Sequence, residues 1–267
     1  MRLRPVLAIA LRQFYLLRGS PTRVLPIFAW VAVDIVLWGF LTRYLNSVGT
    51  GGIDFVPRLL GAVLFWDFFT RVMQGVTMAF FEDVWSRNFL NIFASPLSVA
   101  EYVCGLVLTS VCTSLLGLIA MLLLATLVFH LQFAALGLWL LPYLLVLFLF
   151  GIALGILAAG MVLRFGPASE WLVWPIPALL APFAAVFYPL ATLPPWMQTV
   201  AAALPPSYVF EGLRALLAGG PHDAGPLLQG LAIVLLQIVL AGWAFQRIYR
   251  HAVRTGLLAR YSAESSG

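Results

Sequence analysis

The stretch LGLWLLPYLLVLFLFGIALGILAAGMVL, from Leu136 to Leu163, decides the class of this protein. It carries no charged residue and is apolar at nearly every position, so it reads as a membrane helix and not as the alternating strand of an outer-membrane barrel. About 20 residues of helix cross roughly 30 Å of hydrocarbon, and this run is long enough. Further runs of the same kind lie at Val24–Tyr44, Val56–Phe81, Tyr102–Phe129, Trp171–Leu190 and Pro226–Phe245. The expected fold is an all-α polytopic membrane protein with six transmembrane helices. Residues 1–23 form an amphipathic helix at the interface, 24–249 the membrane domain and 250–267 a tail.

Composition agrees with that class and removes several chemistries. Of 267 residues, 63% are hydrophobic and 9% charged, whereas a soluble domain carries about 25% charged residues. All 15 basic residues are arginine. Without lysine the chain has no Walker A lysine for nucleotide phosphates, no Schiff-base amine and no Ser-Lys dyad. Cys104 and Cys112 stand eight residues apart on one helix, about 12 Å, beyond disulfide reach. His130, His222 and His251 are scattered outside any metal-ligand spacing, and no GxSxG elbow occurs. We therefore expect no metal site and no catalytic residues.

Arginine also orients the spans, because short cytoplasmic segments carry the excess positive charge. Arg2, Arg4, Arg12, Arg18 and Arg23 precede the first span, Arg87 and Arg164 lie in the second and fourth connections, and Arg247, Arg250, Arg254 and Arg260 follow the sixth. Arg43, Arg58 and Arg214 fall on the other side. Six spans then put both termini in the cytoplasm. Near the N-terminus, Leu3, Leu7, Ala10, Phe14 and Leu17, with Val6 beside them, form one stripe, with Arg4 and Arg12 away from its centre. This describes an interfacial helix, serving either as an anchor or as a mechanical part.

Two connections carry further pattern. The second reads Glu82-Asp83-Val84-Trp85-Ser86-Arg87-Asn88-Phe89-Leu90-Asn91-Ile92-Phe93-Ala94-Ser95-Pro96. Trp85, Phe89, Ile92 and Phe93 recur at helical spacing, Glu82 and Asp83 suit an N-terminal end, and Pro96 stops the helix, so a short amphipathic helix is expected over about 82–95. Ser98-Val99-Ala100-Glu101 supplies a capping box for the third span, which makes Glu101 a cap in preference to a transport carboxylate. In the fifth connection, prolines start two short apolar helices near Pro195 and Pro206, within about 194–218. They are too short to span and read as re-entrant or interfacial elements over the outer exit, carrying Trp196, Tyr208, Glu211 and Arg214. Glu211 and Arg214 can pair, being three apart.

Charges inside spans are costly and draw a functional reading. Asp67 and Arg71 are four apart on one helix face and can neutralise each other, or can present a polar patch to a pathway or a subunit interface. Asp34 has no partner in its own helix, and Asp67 or Arg71 is its plausible neighbour across the bundle. Gly151-Ile152-Ala153-Leu154-Gly155 permits close helix approach.

A basic amphipathic N-terminal helix, six spans, a second-connection helix running into Ala94-Ser95-Pro96-Leu97-Ser98, and a late Leu204-Pro205-Pro206-Ser207-Tyr208 element with Leu213-Arg214 together resemble the ABC-2 type permease family, across almost the whole chain. The resemblance implies the membrane subunit of a bacterial inner-membrane exporter of the polysaccharide, lipo-oligosaccharide or drug type. It implies a homodimer or heterodimer of permeases on two copies of a separate ABC ATPase, which would bind ATP and Mg, while this chain binds no cofactor and no nucleic acid. The second-connection helix would be the coupling helix, touching the ATPase through Glu82, Asp83, Trp85, Arg87, Asn88, Phe89 and Phe93, and the outer short helices would cap the exit. Short outer loops favour an amphipathic or lipid-linked cargo, either a glycolipid or polysaccharide or a hydrophobic drug. The competing reading is an ion-gradient-driven secondary transporter using Asp34, Asp67 and Arg71. An intramembrane transferase or protease would need a nucleophile, acid and base set that the spacing does not offer.

Overall fold

The computed structural model describes residues 2–48, 59–86, 91–92, 95–130, 140–220 and 223–256. Every regular element among them is helical. The long helices are α1 (Leu3–Arg18), α2 (Pro21–Val48), α3 (Gly61–Trp85), α4 (Val99–Phe129) and α5 (Leu140–Phe165). They are followed by the short α6 (Glu170–Val173), α7 (Ile176–Leu180), α8 (Pro195–Ala202) and α9 (Pro205–Leu217), and then by the long α10 (Ala224–Arg254). Of these, α2, α4, α5 and α10 are long and apolar enough to cross a membrane. At 25 residues α3 is roughly 37 Å long, and it differs from them in carrying Asp67, Arg71, Glu82 and Asp83.

The bundle is built around α5, which packs against α3 on one side and α10 on another. Phe68, Phe69, Val72, Met73 and Phe80 of α3 meet Val146, Leu147, Phe150 and Ala159 of α5 in one buried cluster. The Gly151 and Gly155 pair makes the approach possible. A Cβ at Gly155 would lie 2.8 Å from the Val76 Cβ and 2.9 Å from the Met73 carbonyl, and one at Gly151 would lie 2.7 Å from the Val72 Cβ. Outside this centre α4 packs on α3, and α1 and α2 pack on α4.

The capping box expected at the start of the third span is present. Ser98 Oγ accepts from the Glu101 amide at 3.2 Å, and Glu101 Oε2 accepts from the Ser98 amide at 3.0 Å. The two proline-started helices of the fifth connection are present as α8 and α9.

Two expectations need correction. Trp171–Leu190 is not a continuous helix: it is broken into α6, α7 and a run of turns before a short 3-10 turn at Leu190–Thr192. Pro175, Pro177, Pro182 and Pro189 each remove a helical N–H donor and crowd the preceding turn. Second, Glu82 and Asp83 do not open a separate short helix, because α3 continues through Trp85 and places them in its last turn. Their charges at that C-terminal end have to be met by arginines from α1 and α2. On α1 the face packed against the bundle lies beside the apolar stripe. Val6, Ile9 and Gln13 are buried, whereas Leu3, Leu7 and Phe14 are exposed. Close packing of Ile9 over Gly105 and the pull of Asp83 on Arg12 set this rotation.

Candidate functional site

Three groups of polar residues stand out from the apolar bundle. The first surrounds the ends of α3 and α4 that flank residues 87–98. Asp83, with none of its side chain exposed, accepts from Arg12 Nη2 at 2.5 Å and from the Tyr102 hydroxyl at 2.8 Å. Glu101 accepts from the Arg2 amide at 2.8 Å and from the Arg2 side chain at 3.2 Å, and Arg2 also donates to the Pro96 carbonyl. Arg23 Nη1 lies 3.5 Å from Glu82. The helix α1 is thereby tied to both roots of the second connection. A buried carboxylate is tolerated only when paired and hydrogen-bonded, and Asp83 is both.

Of the residues expected to contact a partner here, Asp83 is engaged inside the chain, Glu82 is half-buried against Arg23, and Trp85 is exposed. Arg87, Asn88, Phe89 and Phe93 lie outside the described residues. Sequence reasoning missed Arg2, Arg12, Arg23 and Tyr102 as partners. A signal was available: Arg12 interrupts an apolar stretch, and in a chain without lysine any buried carboxylate must find an arginine.

The second group lies within the spans. Arg71 Nε donates to Asp67 Oδ2 at 2.7 Å, so the expected pair within the helix is formed. Asp34 of α2 lies within electrostatic range of both. Next to the pair is a cavity of about 440 Å³ that reaches from Gln13 and Glu82 to Arg71 and Ser114. From Arg71 to Glu82 it runs along eleven helical steps of α3, a depth of about 16 Å at the helical rise. Thr109, Thr113 and Ser114 supply its α4 wall. Thr109 and Thr113 stand four apart on one face of α4, with Ser114 beside them, a spacing visible in the sequence.

The third group is at the opposite end of the bundle. Glu211 Oε1 accepts from the Leu190 amide at 2.5 Å and from Arg214 Nη2 at 3.0 Å, while Arg214 Nη1 donates to the Val186 carbonyl at 3.3 Å. The expected Glu211–Arg214 pair therefore also fastens the broken segment before α8 onto α9. Tyr208 donates to the Ala202 carbonyl at 2.8 Å and so joins α9 to α8, and Trp196 is exposed with its ring edge-on to Phe183. Glu211→Ala is expected to lower stability by about 1–2 kcal/mol, because it leaves the Leu190 amide and Arg214 Nη2 without the acceptor they share. Thermal unfolding in detergent measures this, and an unchanged midpoint would contradict the fastening role.

None of these groups has the arrangement of a catalytic centre; each joins helices or lines a cavity. A family model described as ABC-2 type transporter matches residues 6–218, from α1 to just past α9. No curated protein matches the chain. The matched family is one of transport membrane components that work with an ABC ATPase and are generally not catalytic themselves. Helices of membrane length, ionic ties between them and this match over most of the sequence lead to one conclusion: the chain belongs to the ABC-2 type transporter family.

Proposed function

We propose that the chain is the permease subunit of an ATP-driven exporter that moves an amphipathic or lipid-linked substrate out of the cytoplasm or the inner leaflet. In this reading six crossings are made by α2, α3, α4, α5, the broken segment containing α6 and α7, and α10. Both termini are cytoplasmic, in a bacterial inner membrane. Two permeases sit on two ATPase subunits, which hold ATP and Mg. Residues around 85–95 form the coupling element, with Trp85, Arg87, Asn88, Phe89 and Phe93 as its contacts, and α8 and α9 cap the outer exit. ATP would bias a two-state bundle by pushing on that element.

The observation that carries this reading is the convergence of ionic ties on the two helix ends that flank residues 87–98. A force applied there would pass into α3, α4 and α1 together. Glu82 and Asp83 act in this account as the inner anchors of the coupling element, not as its contacts.

The test is purification of the tagged full chain from native membranes in mild detergent, with identification of stoichiometric partners. An equimolar ABC ATPase is expected. Trp85→Ala should weaken its retention about 30-fold, as loss of an aromatic anchor does. A chain that elutes alone, without nucleotide dependence, would refute the proposal. The ion pair Asp67–Arg71 with Asp34 nearby favours one second reading, a gradient-driven transporter, and ion-dependent transport by the lone chain would establish it.

A further inference from the structure

Arginine occurs in two conditions in this structure. Arg2, Arg12, Arg23, Arg71 and Arg214 each face a carboxylate at 2.5 to 3.5 Å. Arg247, Arg250 and Arg254, in the last turns of α10, are exposed and face no carboxylate among the described residues. The nearby chemistry offers them none: Glu170 accepts from Trp174 Nε1 and Asp223 caps the far end of α10. Spaced three and four apart, the three guanidinium groups repel one another across about 10 Å of helix. An anion set between them removes that repulsion.

The rest of this helix face points to the kind of anion. At 3.6 residues per turn, Leu236, Leu240, Trp243, Arg247, Arg250 and Arg254 fall within about 80° of one another around α10. Val234, Ala241, Phe245 and Ala252, which pack into the bundle, lie on the opposite side. Leu236, Leu240 and Trp243 are each more than half exposed. Along the axis the order is leucines, then an indole about 10 Å beyond Leu236, then guanidinium groups reaching about 16 Å further. A phospholipid presents acyl chain, glycerol and phosphate in the same order. The Arg247 guanidinium already stands over the Trp243 ring, with Cζ 5.0 Å from the centroid. Its side chain is therefore partly ordered before a phosphate arrives. A zwitterionic head group brings its own cation and leaves the arginines uncompensated, whereas a soluble phosphate leaves the leucines and the indole uncovered.

We propose that this face of α10 is a binding site for an anionic phospholipid. The phosphate is held by Arg247 with Arg250 or Arg254, the glycerol lies against Trp243, and an acyl chain runs along Leu240 and Leu236. The site requires α10 to cross the membrane, for which it is long and apolar enough. It requires neither an ATPase nor a transported substrate, so it stands or falls apart from the exporter reading.

The test uses the full chain in nanodiscs of phosphatidylcholine with a minor fraction of phosphatidylglycerol, both with the same tails. Native mass spectrometry reads the lipids retained on the released chain. Phosphatidylglycerol should be enriched over its share in the disc. Arg247→Gln should lower that enrichment about fivefold, the equivalent of about 1 kcal/mol for one arginine at a membrane surface. Trp243→Leu keeps the face apolar but removes the ring beneath Arg247, and should lower it about two- to fivefold. The triple variant Arg247→Gln, Arg250→Gln, Arg254→Gln should lower it on the order of a hundredfold. Arg43→Gln removes the same charge at the other end of the bundle, where Arg43 donates to the Val128 carbonyl at 3.0 Å, and should leave the enrichment unchanged. Unfolding midpoints confirm that each variant is folded, and the single variants carry the test if the triple one is not. Phosphatidylglycerol retained only at its share in the disc, enrichment unmoved in the folded variants, or an equal loss in Arg43→Gln would overturn the proposal. Displacement of the lipid by soluble glycerol phosphate would also overturn it, by assigning the face to a soluble anion. So would loss of a co-purifying protein from the triple variant with lipid enrichment unmoved, which would assign the face to that protein.

Discussion

Replacing Gly155 by leucine is expected to abolish assembly of the bundle. The reason is the wall that the new side chain would meet. A Cβ at this position lies 2.9 Å from the Met73 carbonyl oxygen and 2.8 Å from the Val76 Cβ. Neither is the free end of a flexible side chain that could swing away. Overpacking a core costs about 1–3 kcal/mol where neighbours can shift, and here α3 itself would have to move off α5. The expected loss exceeds about 3 kcal/mol, seen as aggregation in size-exclusion chromatography or a collapse of the thermal transition. Gly242→Ala on α10 is the matched control, since a Cβ there meets nothing within 4 Å. It should be neutral or add roughly 0.5–1 kcal/mol by removing helix-interior glycine. Equal behaviour of Gly155→Leu and Gly242→Ala would show that the close contact of α3 with α5 is not what holds the bundle.

Arg12→Ala should be the second most damaging substitution. Its partner Asp83 is completely buried, and removing one member of a buried ion pair costs about 3–5 kcal/mol because the other charge is stranded. The Tyr102 hydroxyl remains on Asp83 but cannot neutralise it. Since 28% of the Arg12 side chain is exposed, water can partly replace it, which places the expected loss at about 3 kcal/mol, the lower end. Adding Asp83→Asn to Arg12→Ala should recover most of the loss, because an amide can still accept from Tyr102 without a stranded charge. Thermal midpoints of the two single variants and the double variant form the cycle that measures the coupling. Limited proteolysis should show α1 released in Arg12→Ala alone. Arg4→Ala, at an exposed position on the same helix, should change neither readout. Equal effects of Arg4→Ala and Arg12→Ala would remove the anchoring role of α1.

Much of the local structure was legible before any tertiary contact was known. The capping box at Ser98 and Glu101, the proline starts of α8 and α9, the Asp67–Arg71 pair and the Glu211–Arg214 pair are all set by residues within four positions of each other. The close-packing role of Gly151 and Gly155 was visible as a spacing, but its target on α3 was not. The break of Trp171–Leu190 was signalled by four prolines and outweighed by hydropathy. An apolar stretch reports where a segment can reside, whereas proline reports whether its backbone can close its hydrogen bonds there.

Class, helix starts and neighbour pairs are local properties of the chain, because hydropathy, capping and i,i+4 chemistry act over one or two turns. Which face of α1 is buried, that Asp83 is an internal anchor held by Arg12 and Tyr102, and that Gln13 of α1 and Ser114 of α4 line the same cavity are matters of packing between distant segments. Arg12 and Asp83 are separated by 71 positions, and Gln13 and Ser114 by 101. Nothing in a helical period links residues so distant in the chain. Their meeting depends on how Ile9 sits over Gly105 and how α3 sits on α4, which is a property of packed surfaces in three dimensions.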